Sequence, residues 1–288
     1  MIVQSYSTGT DSDLPQSVID FLLLHEKICV PLLERIQKRE VPFFALLENG
    51  RIEGVFSYSS GRQILHCLPF VESKPKVYFS CLLKFFSMIG TDNLFSVIGR
   101  ASGTDLFVDV LKSSYGKVPS IWHSYDFMEL PEVLPERKLS SACVENSMFS
   151  VRSCGLEYLD LLLPVQELYE KEEVLSGGQQ YNPAVTRFLL KKSLKENRVF
   201  ALFNGDKIIS KATLTAVGKK YVQIGGVFSE KSFRRQGCSY LLMRNLLAYL
   251  MDKNQIPVLF VKPENAAARN LYKKCGFSVF DKFKICYY

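Results

Sequence analysis

The chain has 288 residues, 47% of them hydrophobic and 23% charged, which is long enough for two domains and typical of a globular protein. Its longest apolar runs, such as Phe21 to Leu24, are far too short to span a bilayer. The opening MIVQSYSTGTDSD lacks the basic-then-apolar pattern of a signal peptide, so a cytoplasmic protein without a membrane partner is expected. A net charge of +7 suits anionic ligands, but the basic residues are spread out and no nucleic-acid motif accompanies them, which argues against a nucleic-acid partner.

Helix-like sequence runs from Leu22 to Lys38. It is followed by the strand–turn–strand signal Phe44 to Ile52 around Asn49-Gly50. A further strand is expected at Gln63 to Leu68, and the chain then continues as PFVESKPKVYFS, with Pro69 and Pro75 and no glycine. The stretch from Ser96 to Lys112, which includes GRASGTDLFVDVLK, reads as another strand leading into a helix. ELPEVLPERKLSSA, Glu129 to Ala142, breaks the hydrophobic pattern near the midpoint and reads as a linker.

The second half repeats this order. A strand at Phe149 to Cys154 precedes helical runs at Tyr158–Val174 and Pro183–Asn197. A hairpin follows, Val199–Phe203 and Lys207–Ala216, and its FALFNGDKI echoes FALLENGRI of the first half. Strand Tyr221–Phe228 leads through RRQGCS to a helix at Tyr240–Asp252. Strand Val258–Lys262 leads to a helix at Asn265–Cys275, and Phe277–Tyr288 supplies closing strands. Self-similarity of this length reads as a tandem duplication, the alternative being an unrelated α/β first half that shares one hairpin by chance. The eight cysteines form no C-x-x-C pair and the histidines are scattered, so free thiols are expected rather than a metal site or a disulfide framework. Cys238 stands apart, because a helix N-terminus lowers a thiol pKa.

Two junctions carry the chemistry. In each, a strand feeds a turn and then a helix, which leaves unpaired N–H groups and the positive helix end aimed at one point, an arrangement that binds phosphate. Gly237 lets the backbone approach an anion closely, and Lys231, Arg234 and Arg235 place cations beside it. Arg234-x-x-Gly237-x-Ser239 resembles the acetyl-CoA pyrophosphate loop of the GNAT superfamily of N-acetyltransferases, with Ser239 where Gly or Ala is usual. Asn265-x-x-Ala268-x-x-Leu271-Tyr272-x-x-x-Gly276-Phe277 resembles the second signature of that superfamily. The resemblance covers roughly residues 146–288.

The resemblance implies an α/β (α+β) chain of two tandem GNAT-like domains, each a mixed, mostly antiparallel sheet flanked by helices. Residues 1–135 would form a degenerate domain without a phosphate loop, 136–145 a linker, and 146–288 the acetyltransferase domain. Proline has no N–H to offer a phosphate, so the first copy is not expected to hold a pyrophosphate. The implied acyl donor is acetyl-CoA and the implied acceptor is a small-molecule or peptide amine. The amides from Arg235 through Gln236, Gly237 and Cys238 to Ser239 would hold the pyrophosphate, with Arg234 beside them. The strand edge at Val227 and Phe228 would pair with the pantetheine, and a backbone N–H near Val227 would meet the acyl oxygen. Asn265 would cap its helix and, with Ala268, contact the cofactor. Tyr272 would give the departing thiolate a proton or a hydrogen bond.

No carboxylate lies where many relatives carry one, since the strand there reads Gln223, Gly225, Gly226. Glu230, expected to face solvent, and Glu172 and Glu173 are the alternatives for the base, together with water alone. Transfer from another acyl-CoA, a specialised amine acceptor, or a coenzyme A-binding sensor without turnover are the competing functions.

Overall fold

A computed structural model describes residues 2–7, 14–131, 149–175 and 180–288. The expected linker at 136–145 lies outside these residues. In the first half, β1 (Ile2–Tyr6) is followed by α1 (Gln16–Leu24) and α2 (Val30–Gln37). Three antiparallel strands come next: β2 (Phe43–Glu48), β3 (Arg51–Tyr58) and β4 (Gln63–Cys67). Then come α3 (Pro75–Ile89), β5 (Ser96–Arg100), α4 (Ala101–Tyr115) and β6 (Ile121–Glu129). The second half repeats the order with β7 (Phe149–Cys154), α5 (Leu159–Tyr169) and α6 (Pro183–Lys195). β8 (Val199–Asn204), β9 (Lys207–Val217) and β10 (Tyr221–Ser229) follow, and then α7 (Cys238–Asp252), β11 (Ile256–Val261), α8 (Ala266–Lys274) and β12 (Ser278–Tyr287).

The tandem pattern is thus visible in the element order, but the two halves do not keep separate sheets. All twelve strands form one sheet in the order β1-β2-β3-β4-β5-β12-β6-β11-β10-β9-β8-β7. The centre is an exchange. β6 of the first half pairs with β11 of the second, and β12 of the second half pairs with β5 of the first. The exchanged strands pair antiparallel with each other from Ser278–Glu129 to Tyr287–Ile121. Phe277–Tyr288, expected as closing strands, is one strand with a register shift between Val279 and Asp281.

Alternation along the strands covers both faces of the sheet, as a sheet with helices on both sides requires. On β8, Val199, Ala201 and Phe203 pack with α5 and α6, whereas Phe200 and Leu202 pack with α7. Equivalent cores in the first half lie under α1–α2 and under α3–α4. A small fifth core of Val30, Phe127, Ala216, Val258 and Phe283 closes the seam between the halves.

Two buried glutamates of the first half anchor that seam. Glu26 Oε1 accepts the amides of Lys220 (2.9 Å) and Tyr221 (3.0 Å), at the β9–β10 turn. Glu34 on α2 accepts the Val217 amide at 3.1 Å and a short hydrogen bond from Arg198. The paired turns differ in kind: Asn49 and Gly50 both have positive φ, whereas Gly205 alone does in its hairpin.

Candidate functional site

The site begins where the sheet opens. β10 and β11 run parallel but pair only from Tyr221–Ile256 to Gln223–Val258. Beyond that point β11 stays bonded to β6, while β10 follows β9 with breaks between Gln223 and Ile224 and between Gly225 and Phe228. Gly226 has φ +58°, a left-handed bulge conformation that favours glycine. It is also crowded: a Cβ there would stand 3.0 Å from Lys211 Nζ and 3.7 Å from the Tyr169 ring. Val227 and Gly226 have no partner in the β9–β10 ladder.

One turn further, a 3-10 turn at Lys231–Phe233 carries the chain into RRQGCS. Arg235 (φ +61°) and Gly237 (φ +82°) take left-handed conformations, and Gly237 stands at the N-cap of α7. The N–H groups of Arg235, Gln236, Gly237 and Ser239 donate to no acceptor among the described residues. A Cβ on Gly237 would meet no atom within 4 Å, so the space over this turn is open. Unpaired amides, an open space and the N-terminus of a fifteen-residue helix together suit an anion.

The side chains of the loop divide between structure and exposure. Arg234 is tied down: Nε donates to the Ser229 carbonyl (3.0 Å), Nη1 meets Glu172 (2.6 Å), and its guanidinium lies over Phe228. Arg235 and Gln236 are exposed, with the Gln236 amide donating to the Ser232 carbonyl at 2.7 Å. Ser239, the departure from the usual Gly or Ala, is half-buried and joins two buried hydroxyls: Ser239 to Ser229 (2.7 Å), Ser229 to Ser210 (2.7 Å), and Ser210 to the Phe228 carbonyl (2.8 Å). The extra hydroxyl therefore ties the start of α7 to β9 and β10. Cys238 does not follow the expectation of a lowered thiol pKa. It is buried in the α7 core, and burial pushes its thiol up while its own amide opposes the shift.

On the other strand-to-helix junction, Asn265 Oδ1 accepts the Ala268 amide at 3.0 Å and caps α8, as its residue type suggests. Ala268 packs against the core, and Tyr272 is the buried side chain of the helix. No described group hydrogen-bonds the Tyr272 hydroxyl. Burial first, then the charges of Tyr169, Cys275 and Glu173, push its pKa well above the ordinary phenol value, so it is a proton donor at neutral pH. Tyr272 packs on the α7–α8 face of the sheet and Tyr169 on the α5 face, yet Tyr272 feels the charge of Tyr169 across the sheet where β10 and β11 part.

The α5 side supplies the remaining polar groups. α5 ends in a π-helical turn, Glu170–Val174, closed by Leu175 N–H to the Glu170 carbonyl at 2.9 Å. Such turns are frequent at functional sites, and this one sets Glu172 against Arg234. Glu173 has no ion-pair or hydrogen-bond partner among the described residues, and its charge acts on both Tyr169 and Tyr272. Glu230 is half-buried and paired with Lys207 at 2.6 Å instead of facing solvent. Gln223 is turned to Thr215 Oγ1 at 2.9 Å.

Lys211 lies on β9. It is 1% exposed, its amine donates to the Gly226 carbonyl at 3.0 Å, and it lies over the Tyr169 ring at 4.2 Å. Burial pulls its pKa down to about 7, opposed by Glu170. A lone lysine in a strand reads as a solvent-facing residue; only the alternation Lys211, Thr213, Thr215 against Ala212 and Leu214 hints at a polar stripe facing α5.

The corresponding opening in the first half is filled. β4 and β5 pair from Gln63–Ser96 to Leu65–Ile98 and then part, and the next residue, His66, lays its ring against Gly99 and Gly103. There is no room for a Cβ at either glycine. The ring donates to or accepts from Thr104 Oγ1 at 2.9 Å, and burial, with the charge of Arg100, holds its pKa down to about 3.

A bulged strand, a glycine turn and a capped second helix thus meet at the opening between β10 and β11. The Acetyltransferase (GNAT) family pattern matches residues 162–277, within the second half of the chain. The whole chain, first half included, shares its fold with solved tandem-length structures. They include a Drosophila protein (12% identity, 100% of this chain and 98% of that one, TM-score 0.69). The tandem GNAT protein from the clavulanic acid biosynthesis pathway is another (11% identity, 99% and 97%, TM-score 0.63). A GNAT-family acetyltransferase from Colwellia psychrerythraea is a third (11% identity, 100% of each chain, TM-score 0.60). Among curated proteins, none matches the sequence. No helix among the described residues is long and apolar enough to cross a membrane.

Proposed function

We propose that the chain is an acetyl-CoA-dependent N-acetyltransferase with a single active site, in its second half. The observation that carries this reading is the set of unpaired amides of Arg235, Gln236, Gly237 and Ser239 at the head of α7, beside the opening between β10 and β11. Those amides take the pyrophosphate, with Gly237 leaving room for it. The free edge of β10 at Val227 and Phe228 pairs with the pantetheine, and the Val227 N–H meets the acyl oxygen. Asn265 and Ala268 hold the start of α8 against the cofactor.

In the transfer, the acceptor nitrogen bonds to the acyl carbon and the carbon–sulfur bond breaks. Tyr272 supplies the proton or hydrogen bond that the thiolate needs. The nitrogen's surplus proton goes to Glu173, since of the three π-turn glutamates Glu172 is held by Arg234 and Glu170 by Thr186 and Gln166. Arg234 is more a brace than an anion ligand in this reading, since Glu172 and Ser229 occupy its guanidinium. The first half contributes packing and part of the acceptor entrance: β6 brings Tyr125 near Tyr169 and Glu264, and burial, with these neighbours and Tyr287, pushes its phenol up to about 12. His66 fills the first half's opening, which supports one site per chain and a degenerate first copy.

Thiol release from acetyl-CoA in the presence of a panel of amines tests this. Tight coenzyme A binding with no release above the hydrolysis background for any amine would favour a sensor instead. Faster release from a longer acyl-CoA would move the donor assignment.

A further inference from the structure

Lys211 is a buried amine that the acyl-transfer scheme does not use. It projects from β9 onto the face covered by α5, against the ring of Tyr169, and its one hydrogen bond among the described residues goes to the carbonyl of Gly226. That carbonyl belongs to the bulge, where the ladder to β9 is interrupted, so without Lys211 it would be a buried acceptor with no partner in the ladder. Burying a lysine is costly, and a methionine would fill the same space. The amine therefore has a task at the bulge.

The geometry of the peptide bond indicates which. The Gly226–Val227 unit is planar and trans, so the carbonyl oxygen of Gly226 and the N–H of Val227 point in opposite directions. Lys211 holds the oxygen toward α5, and in doing so turns the Val227 N–H the other way. The left-handed Gly226 is what permits this orientation, and its crowding by Lys211, Thr213 and Tyr169 leaves the peptide little freedom to flip back. When protonated, the amine also polarises the unit and strengthens the N–H as a donor.

We propose that Lys211 is a positioning residue for acyl transfer, fixing the Gly226–Val227 peptide so that its N–H is preset toward the acyl oxygen. The same opposition of N–H and C=O keeps the amine on the far side of the peptide from that oxygen. Lys211 is thus neither a nucleophile toward the acyl carbon nor the base. The inference rests on the acyl-transfer reading above.

The test uses the full chain with Lys211→Met, which keeps the bulk and removes the donor, and Lys211→Gln, which keeps a donor without charge. Thiol release should show kcat lower by about tenfold to a hundredfold in the Met variant, at or below the loss caused by deleting an oxyanion donor outright. KM for acetyl-CoA should hold, because the phosphate turn is untouched, and Gln should recover part of kcat. The second readout needs no turnover: the infrared carbonyl stretch of bound ¹³C-acetyl-CoA should shift back toward its free value in Lys211→Met. A folded Met variant with wild-type kcat and an unchanged stretch overturns the proposal, as does a loss confined to KM. If the Met variant does not fold, the same two readouts on Lys211→Gln decide, with a severalfold lower kcat at constant KM expected from loss of the charge. If the wild-type protein binds acetyl-CoA but releases no thiol, the acyl-transfer reading fails by itself. The difference in carbonyl stretch between wild type and variant still decides the role of Lys211.

Discussion

Two residues carry separable parts of the proposed chemistry. Tyr272→Phe keeps the ring in the α7–α8 core and removes only a hydroxyl that no described group hydrogen-bonds. Stability and coenzyme A affinity should therefore be nearly unchanged, while thiol release at saturating acetyl-CoA falls by roughly 10²-fold, the low end for a positioned acid. A melting curve beside the rate checks it; normal turnover with a lowered melting point would make Tyr272 a core residue only. Gly237 separates differently. The space beside it is open, so Val does not clash with the protein, but φ +82° is costly for a residue with a Cβ, by roughly 1–2 kcal/mol. The valine side chain would occupy the space over the amides. Gly237→Val should weaken coenzyme A binding by tenfold or more, ~1.4 kcal/mol, in addition to that cost in folding. Unchanged affinity in calorimetry would reduce the turn to a helix start.

Elements were legible in the sequence wherever a local signal specified them. The Gly237 turn, the Asn265 cap and the paired hairpins all lie within a residue or two of their expected places, because capping and turn chemistry act over a few residues. The strand exchange was not legible. Which strand lies beside β11 depends on contacts between Val258–Val261 and Asp126–Glu129, more than a hundred residues apart, and alternation looks the same whichever half supplies the partner. The π-helical turn and the burial of Lys211 and His66 escaped for the same reason: each is imposed by packing, not by local propensity. Glu34 shows how an element of one half depends on the other. Its carboxyl is pushed up by burial, but hydrogen bonds from Arg198, Lys38 and the Val217 amide outweigh this and hold it below the usual range. A depressed carboxylate stabilises the fold above its unfolded pKa, and that stability is lost as pH falls through the folded value. Glu34→Ala leaves the half-buried Arg198 with Glu196 as its remaining partner and the Val217 amide without its acceptor, and should cost roughly 1–3 kcal/mol near neutral pH. The difference from wild type should shrink below about pH 4, the ordinary carboxylate range. A denaturant series against pH measures this, and a constant difference down to low pH would mean that packing, not the charge, matters.

At the scale of the whole molecule, the exchange ties the two halves together through the centre of one sheet. β6 cannot leave β11 without exposing β12, and β12 cannot leave without opening β5 of the first half. Glu26 and Glu34 add bonds from first-half helices to the β9–β10 hairpin. Neither half can lose its centre alone, so heat should unfold the chain in one transition, with calorimetric and van't Hoff enthalpies equal. Coenzyme A should bind the full chain once, because the first half has prolines where the second has its amides, and His66 fills its opening. A single site that recognises only the native chain then stabilises all of it: at a hundredfold excess over Kd the gain is ~2.7 kcal/mol, seen as a rise in the midpoint of that one transition. Titration calorimetry and a scan with and without ligand make the comparison. Two transitions, of which only one moves with ligand, would show that the halves unfold separately and that the exchanged strands do not couple them. Two equivalents bound per chain would show that His66 yields its place and that the first half holds a site of its own.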